Sequence, residues 1–185
     1  KIDAKTKKKT LIHEDERVDI GNVLVHPTEY TVQAVEIDFD KPTWVVIDPK
    51  VEKDFEGIHK LAEGVPHITS RTLDDRTWII AFDSDRASPR YYRWDRTKQA
   101  GELLFASRPA LDEQPLVPMH PVVIPSRDTL DLVSYLTLPR SADPDGDGKA
   151  DQPAPMVLLV HGGPWARDAW GYNPLHQLLA NRGYA

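Results

Sequence analysis

Apolar residues recur along this 185-residue chain in three rhythms. In the first two thirds they alternate with polar residues in short runs: "NVLVH", "VQAVEID" and "TWVVID", then "TWIIAFD", "RYYRWD" and "GELLFAS". A period of two, with many β-branched and aromatic residues, predicts half-buried strands separated by polar turns. The segment "PKVEKDFEGIHKLAEG", Pro49 to Gly64, breaks this rhythm, because Val51, Phe55, Ile58 and Leu61 have helical spacing. It predicts an inserted helix packed on a sheet edge. The third rhythm comes late. "MVLLV", residues 156–160, is a continuous apolar run, which predicts a strand buried on both faces of a parallel sheet. In "NPLHQLLANRGYA", Leu175, Leu178 and Leu179 share one helical face, and Gly183 stands where a helix ends.

A looser periodicity lies over these elements. An apolar residue, an aspartate and a basic or threonine-containing turn recur at Asp3, Asp48 and Asp95, spaced 45 and 47 residues apart. Such a period suits one four-stranded propeller blade of about 40 to 50 residues. An ordinary antiparallel sheet would look similar, since aspartate readily bonds the backbone of its own turn. The propeller reading makes residues 1–117 the end of one blade plus about two more. "KIDAKTKKKTLI" reads as a hairpin and, with no initiating methionine, as a start inside a longer protein. Pro109, Pro115, Pro118, Pro121 and Pro125 mark a boundary, and residues 118–185 form a second unit. That unit opens with a strand pair around "SRD" in "HPVVIPSRDTLDLVSYLTLPR".

Composition narrows the range of partners. A formal net charge of −6 and a pI near 5.6 argue against nucleic acid or an anionic membrane surface. The basic cluster Lys5 to Lys9 reads as a solvated turn. The absence of cysteine excludes disulfides and thiolate metal sites, and it leaves a cytoplasmic and an exported location equally open. No apolar run approaches the roughly 18 residues that span a bilayer.

The candidate chemistry lies in "VLLVHGGPWARDAW", Val157 to Trp170. Gly162 and Gly163 let the backbone approach a substrate without a Cβ in the way, and their N–H groups are free to point into a pocket. Such donors suit an oxyanion, and α/β-hydrolases take one from the loop between strand β3 and helix αA. Pro164 has no N–H and serves to stiffen the loop.

On "PMVLLVHGGPWARDAWGYNPLHQLLANRGYA", on "MHPVVIPSRDTLDLVSYLTLP" and on the blade-like region before them, the chain resembles the prolyl oligopeptidase family of serine peptidases. Its nearest likeness there is to the acylaminoacyl-peptidase and dipeptidyl-peptidase-like bacterial members. The resemblance implies β-propeller blades over residues 1–117, followed over 118–185 by the N-terminal part of an α/β-hydrolase domain. It also implies an oligopeptide substrate and a Ser-Asp-His triad. By position Gly163 supplies an oxyanion-hole N–H, with His161 and Gly162 shaping the turn. No serine here has a glycine two residues before or after it, so the nucleophile elbow is absent, and the acid and histidine that follow it in chain order are expected downstream. The segment alone is therefore expected to hydrolyse nothing and to be poorly stable.

Other residues keep two readings. Trp165 and Trp170 line a substrate pocket or pack the loop. His161 organises the loop, since chain order speaks against a general base. His13, His26, His59, His67, His120 and His176 show no metal-ligand spacing. In "DPDGDGKAD", Asp143, Asp145, Asp147 and Asp151 are spaced like the start of a calcium loop, but Ala154 stands where a bidentate glutamate belongs. The loop is a structural calcium site or a solvated acidic turn, and no other cofactor is expected. An esterase and a non-catalytic peptide-binding propeller module are the alternative functions, and homo-oligomerisation is left open.

Overall fold

Alternation becomes antiparallel pairing in the computed structural model, which describes residues 1–185. Strands β1 (Ile20–Val25), β2 (Val32–Asp38) and β3 (Pro42–Val46) form one sheet in that order. Strands β4 (Val65–Arg71), β5 (Thr77–Asp83), β6 (Arg90–Asp95) and β7 (Ala100–Ala106) form a second, a four-stranded meander. β8 (Met119–Pro125) and β9 (Asp131–Thr137) make a hairpin. Pro121 and Pro125 sit in β8, which pairs only with β9, so their missing N–H groups cost no inner ladder bond. The architecture is thus mostly antiparallel β with two short helices, and the two sheets do not close a ring within these residues.

The three repeated aspartates share one local task. Asp3 Oδ1 accepts the amides of Lys5 and Thr6, Asp48 Oδ1 that of Lys50, and Asp95 Oδ1 those of Thr97 and Lys98. The repeat therefore marks a side-chain-closed turn three times. The first is carried by a small exposed hairpin with a bridge between Ile2 and Lys9.

The expected inserted helix is α1 (Glu52–Ile58), entered through a 3-10 turn at Pro49–Val51. Val51, Phe55 and Ile58 are buried, and they lie between the two sheets and not on an outer edge. Together with Leu24 and Ala34 from the first sheet and Trp78, Ile80, Phe82 and Trp94 from the second, they form the main core. Phe55 stands 5.7 Å from Trp44 and 6.2 Å from Trp78, ring to ring. Trp44 Nε1 donates to Pro66 O at 2.9 Å, a direct tie between the sheets.

Charge sits inside this core. Trp78 and Trp94 face each other across β5 and β6, and their indole N–H groups donate to Asp75 at 2.7 Å and to Asp54 at 2.9 Å. Both carboxylates are 2% exposed, and Arg96 joins them, Nε to Asp54 at 2.8 Å and Nη1 to Asp75 at 2.6 Å. Arg71 adds a bond to Asp75 at 3.0 Å and one to Gln33 at 2.6 Å, and it also donates to Val25 O. Gln99 completes the shell of Asp54 at 2.8 Å. Each buried carboxylate thereby has several donors, which is the condition for placing charge in a core without a large penalty.

Residues 118–185 depart from expectation at two points. Residues 156–160 are extended but belong to no sheet, and their exposure alternates as 69, 38, 78, 37 and 77% from Met156 to Val160. The expected burial on both faces is absent because no helix covers the run and only Ala185 pairs with it. Ala185 N–H donates to Pro155 O and Val157 N–H to Ala185 O, both at 2.8 Å, the pattern of a single parallel rung. Helix α2 (Pro174–Ala180) buries Gln177 and Ala180, while Leu175 and Leu178 stay about half exposed. The chain offers no surface for its leucine face. Its end is as expected: Gly183, at φ +84°, takes the C′ place of a Schellman turn, with Gly183 N–H on Ala180 O and Tyr184 N–H on Leu179 O.

Two consequences can be measured. Arg96→Ala leaves two buried carboxylates short of their cation and is expected to lower unfolding free energy by about 3–5 kcal/mol. Arg93→Ala, which breaks only an exposed pair with Glu102, is expected to cost about 0–1 kcal/mol. Urea unfolding of both variants checks this, and equal losses would refute it. His67 on β4 lies 3.5 Å from Glu36 of β2 and 3.4 Å from Asp83 of β5, and the Glu36 carboxylate holds its pKa above the usual imidazole value. A raised folded-state pKa means the stabilisation is complete below the unfolded value of about 6.5 and is lost as pH rises through the folded value. The stability gap between wild type and His67→Gln should therefore shrink as pH rises from below about 6.5 through the folded value, and a gap that widens would reverse the assignment.

Candidate functional site

The glycine loop leaves the extended run 156–160 at His161 and reaches α2 through an irregular stretch. No side chain fills its centre. A Cβ on Gly162 would meet nothing within 4 Å, and one on Gly163 would meet only Trp165 N at 3.4 Å and His161 Nδ1 at 3.9 Å. Neither glycine N–H is bonded within the chain. His161 Nδ1 donates to Gly162 O at 2.9 Å, so this imidazole bonds the loop's own backbone. The arrangement presents two consecutive N–H donors on a chain segment without steric bulk, the kind of backbone that can meet a developing negative charge.

The two tryptophans have different surroundings. Trp165 is 97% exposed. Trp170 is half-buried: its Nε1 donates to Met119 O at 2.9 Å, and the Lys41 ammonium lies 4.5 Å from the ring centroid. The loop's other contacts come from Arg167, which sequence reasoning did not single out. Its guanidinium reaches Asp38 O at 2.6 Å and Phe39 O at 2.5 Å in the β2–β3 turn. Tyr135 of β9 donates to the next carbonyl, Asp40 O, at 2.9 Å, and partial burial raises the pKa of its phenol. The signal for Arg167 was a guanidinium four residues after a loop with nothing to pack, but its partner lies 129 residues away in sequence.

Gln177, also missed, ties α2 to the boundary segment. Its amide accepts from Val117 N–H at 3.0 Å and donates to Val117 O at 2.8 Å, as a neighbouring strand would, and it further donates to Asp85 O at 3.2 Å. Asp85 in turn accepts Met119 N–H at 2.8 Å. His176 beside it touches Thr137 Oγ1 at 3.0 Å, and burial lowers its pKa. A surface depression lined by Leu61, Arg86, Arg90 and Tyr92 among others includes no residue of the glycine loop.

In the acidic loop, Asp143, Asp145 and Asp147 bring one carboxylate oxygen each to within 4.8 Å of one another, and Asp151 does not join them. Asp143 is buried, and its two oxygens accept the amides of Asp147 and Gly148 at 3.0 Å each. The buried carboxylate thus closes a turn of its own chain.

No family model matches the sequence. Over its whole length the chain is 52% identical, across 184 residues, to dipeptidyl aminopeptidase BIII of Pseudoxanthomonas mexicana, of which it covers 27%. It is 32% identical across 192 aligned residues, 96% of the chain, to dipeptidyl peptidase family member 6 of Caenorhabditis elegans, of which it covers 26%. The chain is a homologue of dipeptidyl peptidases and spans about a quarter of the length of these relatives. The resemblance read from the glycine motif and the regions around it leads to the same group of enzymes.

Asp143→Ala removes the acceptor of two buried-turn amides, so it is expected to lower stability by about 1–3 kcal/mol in EDTA as well as in calcium. Thermal or urea unfolding in both buffers reads this out. A loss seen only with calcium present would make the loop a cation site instead.

Proposed function

We propose that this chain is part of a serine peptidase of prolyl oligopeptidase type that releases dipeptides from oligopeptides. In this reading residues 1–117 are blades of a β-propeller and residues 118–185 open an α/β-hydrolase domain. The observation that carries it is the order of elements around the glycine loop. An extended apolar run leads into His161, Gly162 and Gly163, α2 follows, and Ala185 returns to form a parallel rung beside the run. A strand, a loop, a helix and a parallel strand make the crossover on which such hydrolases build their sites. The identity to two dipeptidyl peptidases supports the substrate class.

The chemistry follows from the donors. A serine outside these residues attacks the peptide carbonyl while a histidine takes its proton and then gives it to the leaving amine. The carbonyl oxygen gains negative charge as the tetrahedral intermediate forms. The Gly163 N–H is one of two donors that receive this oxygen, each contributing about 3–4 kcal/mol by the cost of removing it. Gly162 keeps the approach open, and His161 sets the turn.

The test uses the natural protein that carries this chain, with dipeptidyl anilides and a fluorophosphonate probe. Dipeptide release and labelling of one serine are expected. Gly163→Ala, whose methyl would stand where the substrate oxygen arrives, is expected to lower kcat by about tenfold or more. It should leave the unfolding midpoint unchanged, since the nearest atom to the added methyl is 3.4 Å away. A protein that neither labels nor releases dipeptides would defeat the proposal.

A further inference from the structure

We propose that Arg167 is a positioning residue, clamping the glycine loop to the β2–β3 turn so that the Gly163 N–H keeps a fixed direction. This rests on the oxyanion role given to Gly163. The need for a clamp follows from the loop itself. Residues 161–166 are exposed, the glycines have no side chains to pack, and ordering such a segment costs conformational entropy. Something outside the loop must hold it.

Arg167 has the geometry to do so. One guanidinium covers two successive carbonyls, Asp38 O at 2.6 Å and Phe39 O at 2.5 Å, while its Nε donates back to Asp168 O at 3.3 Å. The third carbonyl of the same turn, Asp40 O, takes the Tyr135 phenol at 2.9 Å, and that phenol oxygen lies 3.5 Å from Arg167 Nη2. Two consecutive carbonyls thus hold the stretch that follows the glycines, and the third holds β9 beside it. Three residues on, Trp170 adds its bond to Met119 O and its face to Lys41 of the same turn. The planar fork of arginine spans two carbonyls at once, whereas a lysine ammonium is a point charge on a flexible stem. With Arg167 fixed, Gly163 is only four residues from an anchor. The turn of the first sheet therefore sets the direction of a donor in the second unit.

The clamp is tested in the natural protein with Arg167→Ala and Arg167→Lys. Trp165, 97% exposed, offers a chymotrypsin site inside the loop. Cleavage after Trp165 is expected to speed up about tenfold in Arg167→Ala and less in Arg167→Lys, since proteolysis follows the population of the open segment. On a dipeptidyl anilide, kcat is expected to fall about 10- to 100-fold in Arg167→Ala with KM within about twofold, because the donor matters most in the transition state. Affinity for a peptide boronate should fall in proportion to kcat, with partial recovery in the lysine variant. Unchanged cleavage at Trp165 would overturn the clamp, and faster cleavage with unchanged kcat would overturn the positioning role. A lowered unfolding midpoint with kcat and KM both degraded would assign Arg167 to fold support instead. If the wild type itself releases no dipeptide, the oxyanion reading fails and the positioning role falls with it. The chymotrypsin result then still decides whether the contact exists.

Discussion

Arg96 between two buried aspartates is the interaction on which the two sheets and α1 depend. Its guanidinium joins Asp54, carried by the inserted helix, to Asp75, carried by the β4–β5 turn, and it comes from the β6–β7 turn. Through Asp75 the network reaches Gln33 of β2, and through Arg71 it reaches the end of β1. Both sheets and the helix thus meet at one set of charges. An apolar core alone would tolerate sliding of one sheet over the other, because burial has no preferred direction. Hydrogen-bonded charges do not tolerate it: each displaced bond leaves a desolvated group behind. The tryptophans combine both effects, since Trp78 and Trp94 fill the core with their rings while their N–H groups satisfy the carboxylates.

Residues 118–185 are held by a different kind of contact. Several side chains here bind backbone carbonyls and amides far away in sequence: Gln177 on Val117, Trp170 on Met119, Tyr135 on Asp40 and Arg167 on Asp38 and Phe39. Turns and boundary segments have free carbonyls because no sheet uses them. Polar side chains from elsewhere can take these groups without competing with a ladder. Such ties fix position with little buried area, which suits a segment whose own apolar residues, Met156 to Val160, have so few partners among these residues.

Period two and period 3.6 made the strands and α1 legible, because each element's burial repeats with its own geometry. Val51, Phe55 and Ile58 could be read as one face, yet their place between the sheets could not, since periodicity gives a face and not its neighbour. β4 passed unread. "VPHITSR" has a proline at its second position and His67 and Arg71 in it, and those polar residues are there for Glu36, Asp83 and Asp75. That residues 161–164 form a loop was legible from composition alone, because two glycines and a proline interrupt any regular element. Arg167 and Gln177 were not, because their partners are backbone atoms far away in sequence, and a backbone carbonyl leaves no residue type to recognise. The aspartate repeat shows the opposite limit: its period pointed to a blade, while its physical content at each position is a closed turn.

If the glycine loop presents N–H groups to a substrate, as proposed, it faces a conflict between access and order. In the proposed role a side chain large enough to pack the loop would also stand in the way of a substrate, and Gly162 and Gly163 leave that space open. Glycine also loses more conformational freedom on ordering than any other residue, which makes the same choice costly. The way out is to place the anchors just outside the open segment. Upstream, the rung to Ala185 restrains residues 155–157; downstream, Arg167 and Trp170 bind carbonyls of Asp38, Phe39 and Met119. Residues 158–166 lie between these anchors, with the glycines at their centre. The downstream anchor belongs to a turn of the first sheet, and that turn is held by the sheet that the Arg96 network fixes. Order in the glycine loop is thereby drawn from the charged core of the two sheets, through one turn and one guanidinium.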